Sequence, residues 1–104
     1  MGGVGVACTA IEAPTKQFAA ELGPRGIRAI CLRLEGIPES WEGVSTEDWS
    51  GLPAEIEAQM KARSLLGRVT TLADVGNAAA FLGSDLAGAT TGTVFNLTSG
   101  TVVD

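Results

Sequence analysis

The chain has 104 residues, a formal net charge of −5 and 45% hydrophobic residues, a composition typical of one small globular domain. The negative charge argues against binding to nucleic acid, because such binding needs a surface of basic residues. No apolar run approaches the roughly 20 residues that cross a membrane, and no secretory signal is recognisable. We therefore expect a cytoplasmic protein in which Cys8 and Cys31 are reduced thiols.

The sequence contains no histidine and no tyrosine. This excludes Ser-His-Asp and Cys-His hydrolase arrangements, imidazole metal sites and a tyrosine proton donor. Any acid–base chemistry would depend on carboxylates, on Lys16 and Lys61, or on the two thiols. We expect no metal site and no bound cofactor.

A helix and then a strand are predicted for the first third of the chain. Thr9 begins a capping-box pattern, so the helix is expected over residues 9–22, after a flexible lead-in over residues 2–6. Pro14 lies inside this span and requires either a later start or a kink. The apolar run that follows predicts a strand over residues 27–34 that is buried on both faces.

The rest of the chain predicts a loop or short helix over residues 35–51, two more helices and a second strand. One helix is expected over residues 53–64, and Thr71 and Asp74 form a capping box at the start of the other. The second strand falls at residues 91–98. Because strands alternate with helices in this order, the fold class is α/β, with two parallel strands and about three helices.

Several motifs resemble the second half of the short-chain dehydrogenase/reductase family, in the order in which that family carries them. These motifs are Ala19-Ala20-Glu21-Leu22-Gly23-Pro24-Arg25-Gly26-Ile27-Arg28, Leu66-Gly67-Arg68, residues 71–75, Phe81-Leu82-Gly83-Ser84-Asp85 and Thr91-Gly92-Thr93-Val94 with the tail to Gly100. The resemblance implies a truncated Rossmann-like unit that forms a single domain over residues 1–104. It lacks counterparts of the family's glycine-rich nucleotide loop and first five strands, so we expect it to be completed by oligomerisation, as a dimer or tetramer.

The same resemblance implies that dehydrogenase activity has been lost. The family's catalytic Tyr falls at Val4 and its Lys at Cys8, and neither side chain can deliver a proton or hold the ribose. The Asn of the family's sixth strand falls at Ile30, and the Pro-Gly after it falls at Leu34-Glu35. We expect an oligomeric scaffold or interaction module that binds itself and a ligand that the sequence does not identify.

An acidic segment that holds both tryptophans favours an alternative function, a small glycosidase-like hydrolase. Seven of the twelve acidic residues lie between Glu35 and Glu57, and paired carboxylates beside an indole are typical of glycoside-cleaving sites. The candidate catalytic residues are Glu35, Glu39, Glu42 and Asp48, and the candidate substrate-binding residues are Trp41 and Trp49. The competing interpretation is a solvated loop whose tryptophans pack on the core or in a subunit contact.

A further alternative is that the chain is half of a split oxidoreductase that another chain completes.

Three basic residues, Lys61, Arg63 and Arg68, suit the end of a helix, where they oppose its dipole. Binding of an anion by these residues is the alternative interpretation.

Overall fold

The computed structural model describes residues 2–43, 45 and 52–103, and for residues 2–6 it describes the backbone alone. Within these residues, three α-helices and two strands follow in the order α1 (Gly2–Leu22), β1 (Ile30–Arg33), α2 (Pro53–Arg63), α3 (Leu72–Leu82) and β2 (Thr93–Asn96). The two strands are parallel neighbours in one sheet. The predicted α/β class is therefore confirmed.

Helix α1 starts at Gly2 rather than at Thr9, so the predicted flexible lead-in is wrong and Thr9 is an interior residue. A glycine inside a helix costs about 0.5–1 kcal/mol relative to alanine, and this cost does not stop the helix from continuing through residues 2–6. Pro14 lies inside the helix and provides no N–H for the carbonyl of Ala10. The later start that Pro14 suggested is therefore also wrong.

The two strands are shorter than the sequence predicts. Beyond their ends, the backbone N–H of Gly92 still donates to the carbonyl of Ala29 over 2.8 Å, and the N–H of Ala29 donates to Thr91 Oγ1 over 3.0 Å. All four residues of β1, including Cys31, are half-buried rather than buried on both faces. A parallel strand is fully buried only where other elements cover both sides of its sheet.

Helices α2 and α3 begin where the sequence predicts. Pro53 is the first residue of α2, a position where its missing N–H costs nothing. At the start of α3 the N–H of Thr71 donates to Asp74 Oδ2 over 2.9 Å, and the N–H of Asp74 donates to Thr71 Oγ1 over 3.1 Å. This reciprocal pair confirms the predicted capping box.

The chain divides into two compact units, one formed by Met1–Arg33 with Ala80–Phe95 and the other by Leu34–Ala79 with Asn96–Asp104. In the first unit, Arg33 on β1 donates to both carboxylate oxygens of Glu12 on α1, over 2.8 and 3.2 Å. The prediction of a single domain over residues 1–104 stays a prediction.

Few apolar side chains are buried. Among the described residues, the buried apolar side chains are Met60, Leu82 and Ala87, and the buried polar ones are Thr15, Ser64, Thr70 and Thr98. No buried side-chain nitrogen or oxygen in this part of the chain lacks a hydrogen-bond partner. No helix there is long and apolar enough to cross a membrane.

Candidate functional site

The structure describes three of the four carboxylates of the predicted acidic site. Glu39 and Glu42 are exposed, whereas Glu35 is half-buried and its carboxylate lies 4.0 Å from the guanidinium of Arg63. The assignment of these residues as catalytic stays a prediction.

Trp41 is half-buried at the end of a short 3-10 helix, Pro38–Trp41. A Cβ at Gly36 would lie 3.1 Å from Cζ2 of this indole and 3.6 Å from Cε of Met60. The indole ring of Trp41 therefore lies close to the backbone of Gly36. This position agrees with the alternative in which the tryptophans pack on the core. The other predicted residues of the site, Asp48 and Trp49, lie outside the described residues.

Each of the three basic residues near the helix ends has a carboxylate beside it. Lys61 lies 3.5 Å from Glu57, one turn earlier on α2, and Arg63 has Glu35 as its neighbour. The third, Arg68, donates to Asp74. Because each positive charge already has a partner, this pairing disfavours the binding of an isolated anion at these residues.

A cleft of about 430 Å³ lies in the second unit, within the range of roughly 300–1,000 Å³ that is usual for ligand sites. Three segments line it: the connector between α2 and α3, the first turns of α3, and the last residue of β2 with the loop that follows it. Its walls combine aliphatic side chains with Arg68, Asp74 and two asparagines. The cleft is the candidate site that the structure adds to the sequence prediction.

The connector holds the loop after β2 in place. Ser64 Oγ and the N–H of Leu66 both donate to the carbonyl of Ser99, over 2.6 and 3.1 Å. Thr70 Oγ1 donates to the carbonyl of Leu97. Because these donors come from the connector, the loop wall keeps its position against the start of α3.

The backbone of this loop turns through two left-handed residues, Ser99 with φ 57° and Gly100 with φ 85°. A Cβ at Gly100 would lie 2.6 Å from Cβ of Leu65, so this position requires glycine for space as well as for φ. A left-handed non-glycine residue such as Ser99 costs about 1–2 kcal/mol. The hydrogen bonds to its carbonyl offset that cost.

The cleft contains a pair of opposite charges. Arg68 Nη2 lies 2.5 Å from Asp74 Oδ2, with about half of the arginine side chain and a third of the aspartate side chain exposed. The hydrogen bond from the backbone N–H of Thr71, followed by that from Arg68, holds the pKa of Asp74 below its ordinary value. The aspartate is therefore ionised at neutral pH.

The positions at which the family would hold a nicotinamide nucleotide carry unsuitable side chains. Cys8 is exposed on α1, and Leu34 is exposed beyond the end of β1. The thiol of Cys8 cannot replace the ammonium group with which, as the resemblance implies, the family's lysine holds the ribose, so this residue does not fit the cofactor. Among the described residues, no cluster of three or more His, Cys, Asp or Glu side chains could hold a metal ion.

Comparison with known proteins identifies the family. A family model described as enoyl-(acyl carrier protein) reductase matches residues 2–101. The chain belongs to this family of short-chain dehydrogenases/reductases. It is 39% identical over 98 residues to the NADH-dependent enoyl-[acyl-carrier-protein] reductase FabI of Bacillus cereus, covering 93% of this chain and 36% of the relative. FabI of Haemophilus influenzae is 34% identical over 97 residues, covering 91% and 34%.

Solved structures of the family have the same fold. An enoyl reductase of Anaplasma phagocytophilum in complex with NAD superposes with a TM-score of 0.75 at 33% identity, over 94% of this chain and 33% of that one. A short-chain dehydrogenase/reductase of Burkholderia thailandensis superposes with a TM-score of 0.76 at 29% identity, over 92% and 36%. The predicted family and its truncated Rossmann-like fold are confirmed, and the chain spans about a third of the length of its relatives.

The cleft itself was not predicted from the sequence. The pattern of residues indicated Thr71 and Asp74 as a helix cap and Arg68 as a helix-end residue, but not that Arg68 and Asp74 lie together. The spacing of Arg68 and Asp74 could have indicated this pair. The two residues are six positions apart and flank the start of α3, so their opposite charges lie near the same helix end. The position of the loop after β2 depends on long-range hydrogen bonds, for which the sequence has no local pattern.

Proposed function

We propose that this protein has no dehydrogenase activity of its own and acts in the cytoplasm as a self-associating scaffold or interaction module, as a dimer or tetramer. The observation that carries the proposal is the apolar surface that the chain leaves open. Among the residues whose side chains the structure describes, the exposed large hydrophobic ones are Ile11, Phe18, Ile27, Leu34, Leu52, Leu65, Leu66, Leu72, Phe81, Leu86, Phe95, Val102 and Val103. Exposed apolar surface of this kind supports a contact with another protein.

Helix α1 carries part of this exposed apolar surface. Ile11 and Phe18 are seven positions apart and therefore lie on one face of the helix, where they are 67% and 52% exposed. A second copy of the chain can cover such surfaces through a two-fold contact.

The lack of dehydrogenase activity is supported by the side chains at the cofactor positions. The resemblance aligns Cys8 with the family's lysine and Leu34-Glu35 with its Pro-Gly, and the chain contains no tyrosine to deliver a proton. Both thiols are free, in agreement with a reducing compartment.

The test is a titration of the purified chain with NADH and NADPH, followed by fluorescence, with an assay of reduction of an enoyl thioester. We expect no saturable binding and no oxidation of the nucleotide. Micromolar affinity or turnover would contradict the proposal. FabI of Bacillus cereus provides the positive control.

A second candidate function is that the chain completes an oxidoreductase together with another polypeptide. The observation that favours it is coverage: 93% of this chain matches 36% of FabI of Bacillus cereus. The missing part of the fold would then come from a chain that carries the nucleotide-binding half. Mixing the protein with the separately produced N-terminal part of that relative distinguishes the two proposals. Binding of NADH by the mixture, but by neither part alone, would support the second.

A further inference from the structure

The cleft of the second unit holds polar groups whose hydrogen-bonding capacity is only partly used. Arg68 donates to Asp74 through Nη2, and its other guanidinium N–H groups have no partner among the described residues. Asp74 accepts from both Arg68 and Thr71 at Oδ2, which leaves Oδ1 open. The ion pair therefore presents one unused donor edge and one unused acceptor atom.

Asn77 adds an unused amide to the same cleft. It lies three positions after Asp74 on α3, so the two side chains share a face of the helix. Within the described part of the chain its amide makes no hydrogen bond. The aliphatic part of the lining comes from Leu66, Leu97, Val102 and Val103.

The arrangement of charges selects against ligands with a single charge. A carboxylate that approached Arg68 would be repelled by the ionised Asp74, and an amine that approached Asp74 would be repelled by Arg68. A ligand that carries an ammonium and a carboxylate group on the same carbon atom would place its negative group beside Arg68 and its positive group beside Asp74. Aliphatic walls beside this ion pair add a preference for an apolar side chain.

We infer that this cleft binds a free α-amino acid with a branched aliphatic side chain. The ligand carboxylate accepts hydrogen bonds from Arg68, and the ligand ammonium donates to Asp74 Oδ1. The aliphatic side chain packs against Leu66, Leu97 and Val102. The inference goes beyond the proposed self-association and does not depend on it.

The two asparagines of the chain provide a direct reporter, because Asn77 and Asn96 both line the cleft. Their side-chain amide signals in a nitrogen–proton correlation spectrum are followed during a titration with leucine. Gln17 and Gln59, the chain's two glutamines, lie outside the lining and serve as internal controls. We expect saturable shifts at the asparagines in the millimolar range and none at the glutamines.

Analogues of leucine test each part of the inference on the unmodified protein. 4-Methylpentanoate lacks the ammonium group, isoamylamine lacks the carboxylate, and serine lacks the aliphatic side chain. Each is expected to bind at least tenfold more weakly than leucine. Equal binding by any one of them, or the absence of saturable shifts with leucine, would overturn the inference.

A pair of variants separates the cleft from general charge effects. Arg68→Gln removes the cation of the cleft and should weaken leucine binding at least tenfold. Arg63→Gln removes an exposed arginine of the same unit that lies outside the cleft lining, and should leave binding unchanged. If both variants bind leucine as the unmodified protein does, the inference is wrong, and the same holds if both lose binding equally.

Discussion

The loop after β2 and helix α1 differ in how much of their surface is covered or hydrogen-bonded by other parts of the chain. The loop is held by hydrogen bonds within the chain: the buried Ser64 and Thr70 donate to its carbonyls, and the buried Thr98 makes hydrogen bonds to Asn96 and Val102. Helix α1 leaves Ile11 and Phe18 more than half exposed. The polar connections of the loop are therefore internal to the chain, whereas nothing in the described part of the chain covers the apolar face of α1.

The largest effect on the free energy of unfolding is expected at Gly100, in the loop after β2, where Leu65 leaves no space for a side chain. Gly100→Ala should lower the free energy of unfolding by about 2 kcal/mol or more, because the new Cβ would lie 2.6 Å from Leu65 Cβ in a left-handed conformation. Gly67→Ala is the matched control: its φ is 67°, but no atom lies within 4 Å. It should cost about 1 kcal/mol. Equal midpoints in urea unfolding would show that the packing against Leu65 does not matter.

A smaller effect is expected where α1 meets β1. Glu12→Ala removes the carboxylate that accepts two hydrogen bonds from the half-buried Arg33, and should destabilise the fold by about 2 kcal/mol. Glu21→Ala on the same helix removes an exposed hydrogen bond from Gln17 and should cost less than about 0.5 kcal/mol. Thermal unfolding of both variants checks this order. A reversed order would contradict the assigned role of the ion pair.

The helix cap of α3 should make stability depend on pH. Because the folded pKa of Asp74 is lowered, the unfolded chain takes up the proton first as the pH falls. The stabilisation by Asp74 is therefore complete above its ordinary pKa of about 4 and is lost as the pH falls through the folded pKa. Asp74→Asn keeps an acceptor for Thr71 but does not titrate. Its stability should fall less steeply in this acid range, and an unchanged slope would count against the cap.

The smallest effect on stability is expected in the acidic segment. Glu35→Gln breaks only a 4.0 Å contact with the largely exposed Arg63, so it should change stability by less than about 0.5 kcal/mol. This makes it a clean test of the hydrolase hypothesis, because a lost activity would not reflect unfolding. Glycoside hydrolysis is measured for this variant beside Glu39→Gln and Glu42→Gln. Full activity in all three would eliminate these carboxylates.

Local patterns predicted the local structure well. The capping box of Thr71 and Asp74 and the start of α2 at Pro53 are correct because each depends on residues within one helical turn. The start of α1 was placed at Thr9 because the glycines before it favour flexible backbone, yet the helix begins at Gly2. The capping pattern at Thr9 therefore does not mark the start of the helix.

Burial was predicted less well, because it depends on surfaces that are distant in sequence or absent from the chain. The apolar run around Cys31 predicts a strand buried on both faces, but the two-stranded sheet leaves that strand half-buried. The cleft was missed for a similar reason. Its walls meet through the hydrogen bonds of Ser64 and Leu66 to Ser99, which join segments more than 30 residues apart.

Sedimentation equilibrium at low micromolar concentration tests whether a second copy of the chain covers the exposed apolar surface. We expect a dimer or tetramer of the 10.6 kDa chain. The double variant Ile11→Glu, Phe18→Glu should shift it towards smaller species. Ala20→Glu lies on the opposite side of α1 from Ile11 and should leave the assembly unchanged. A 10.6 kDa monomer that unfolds cooperatively would contradict the account, because the chain would then be stable with its apolar face in water.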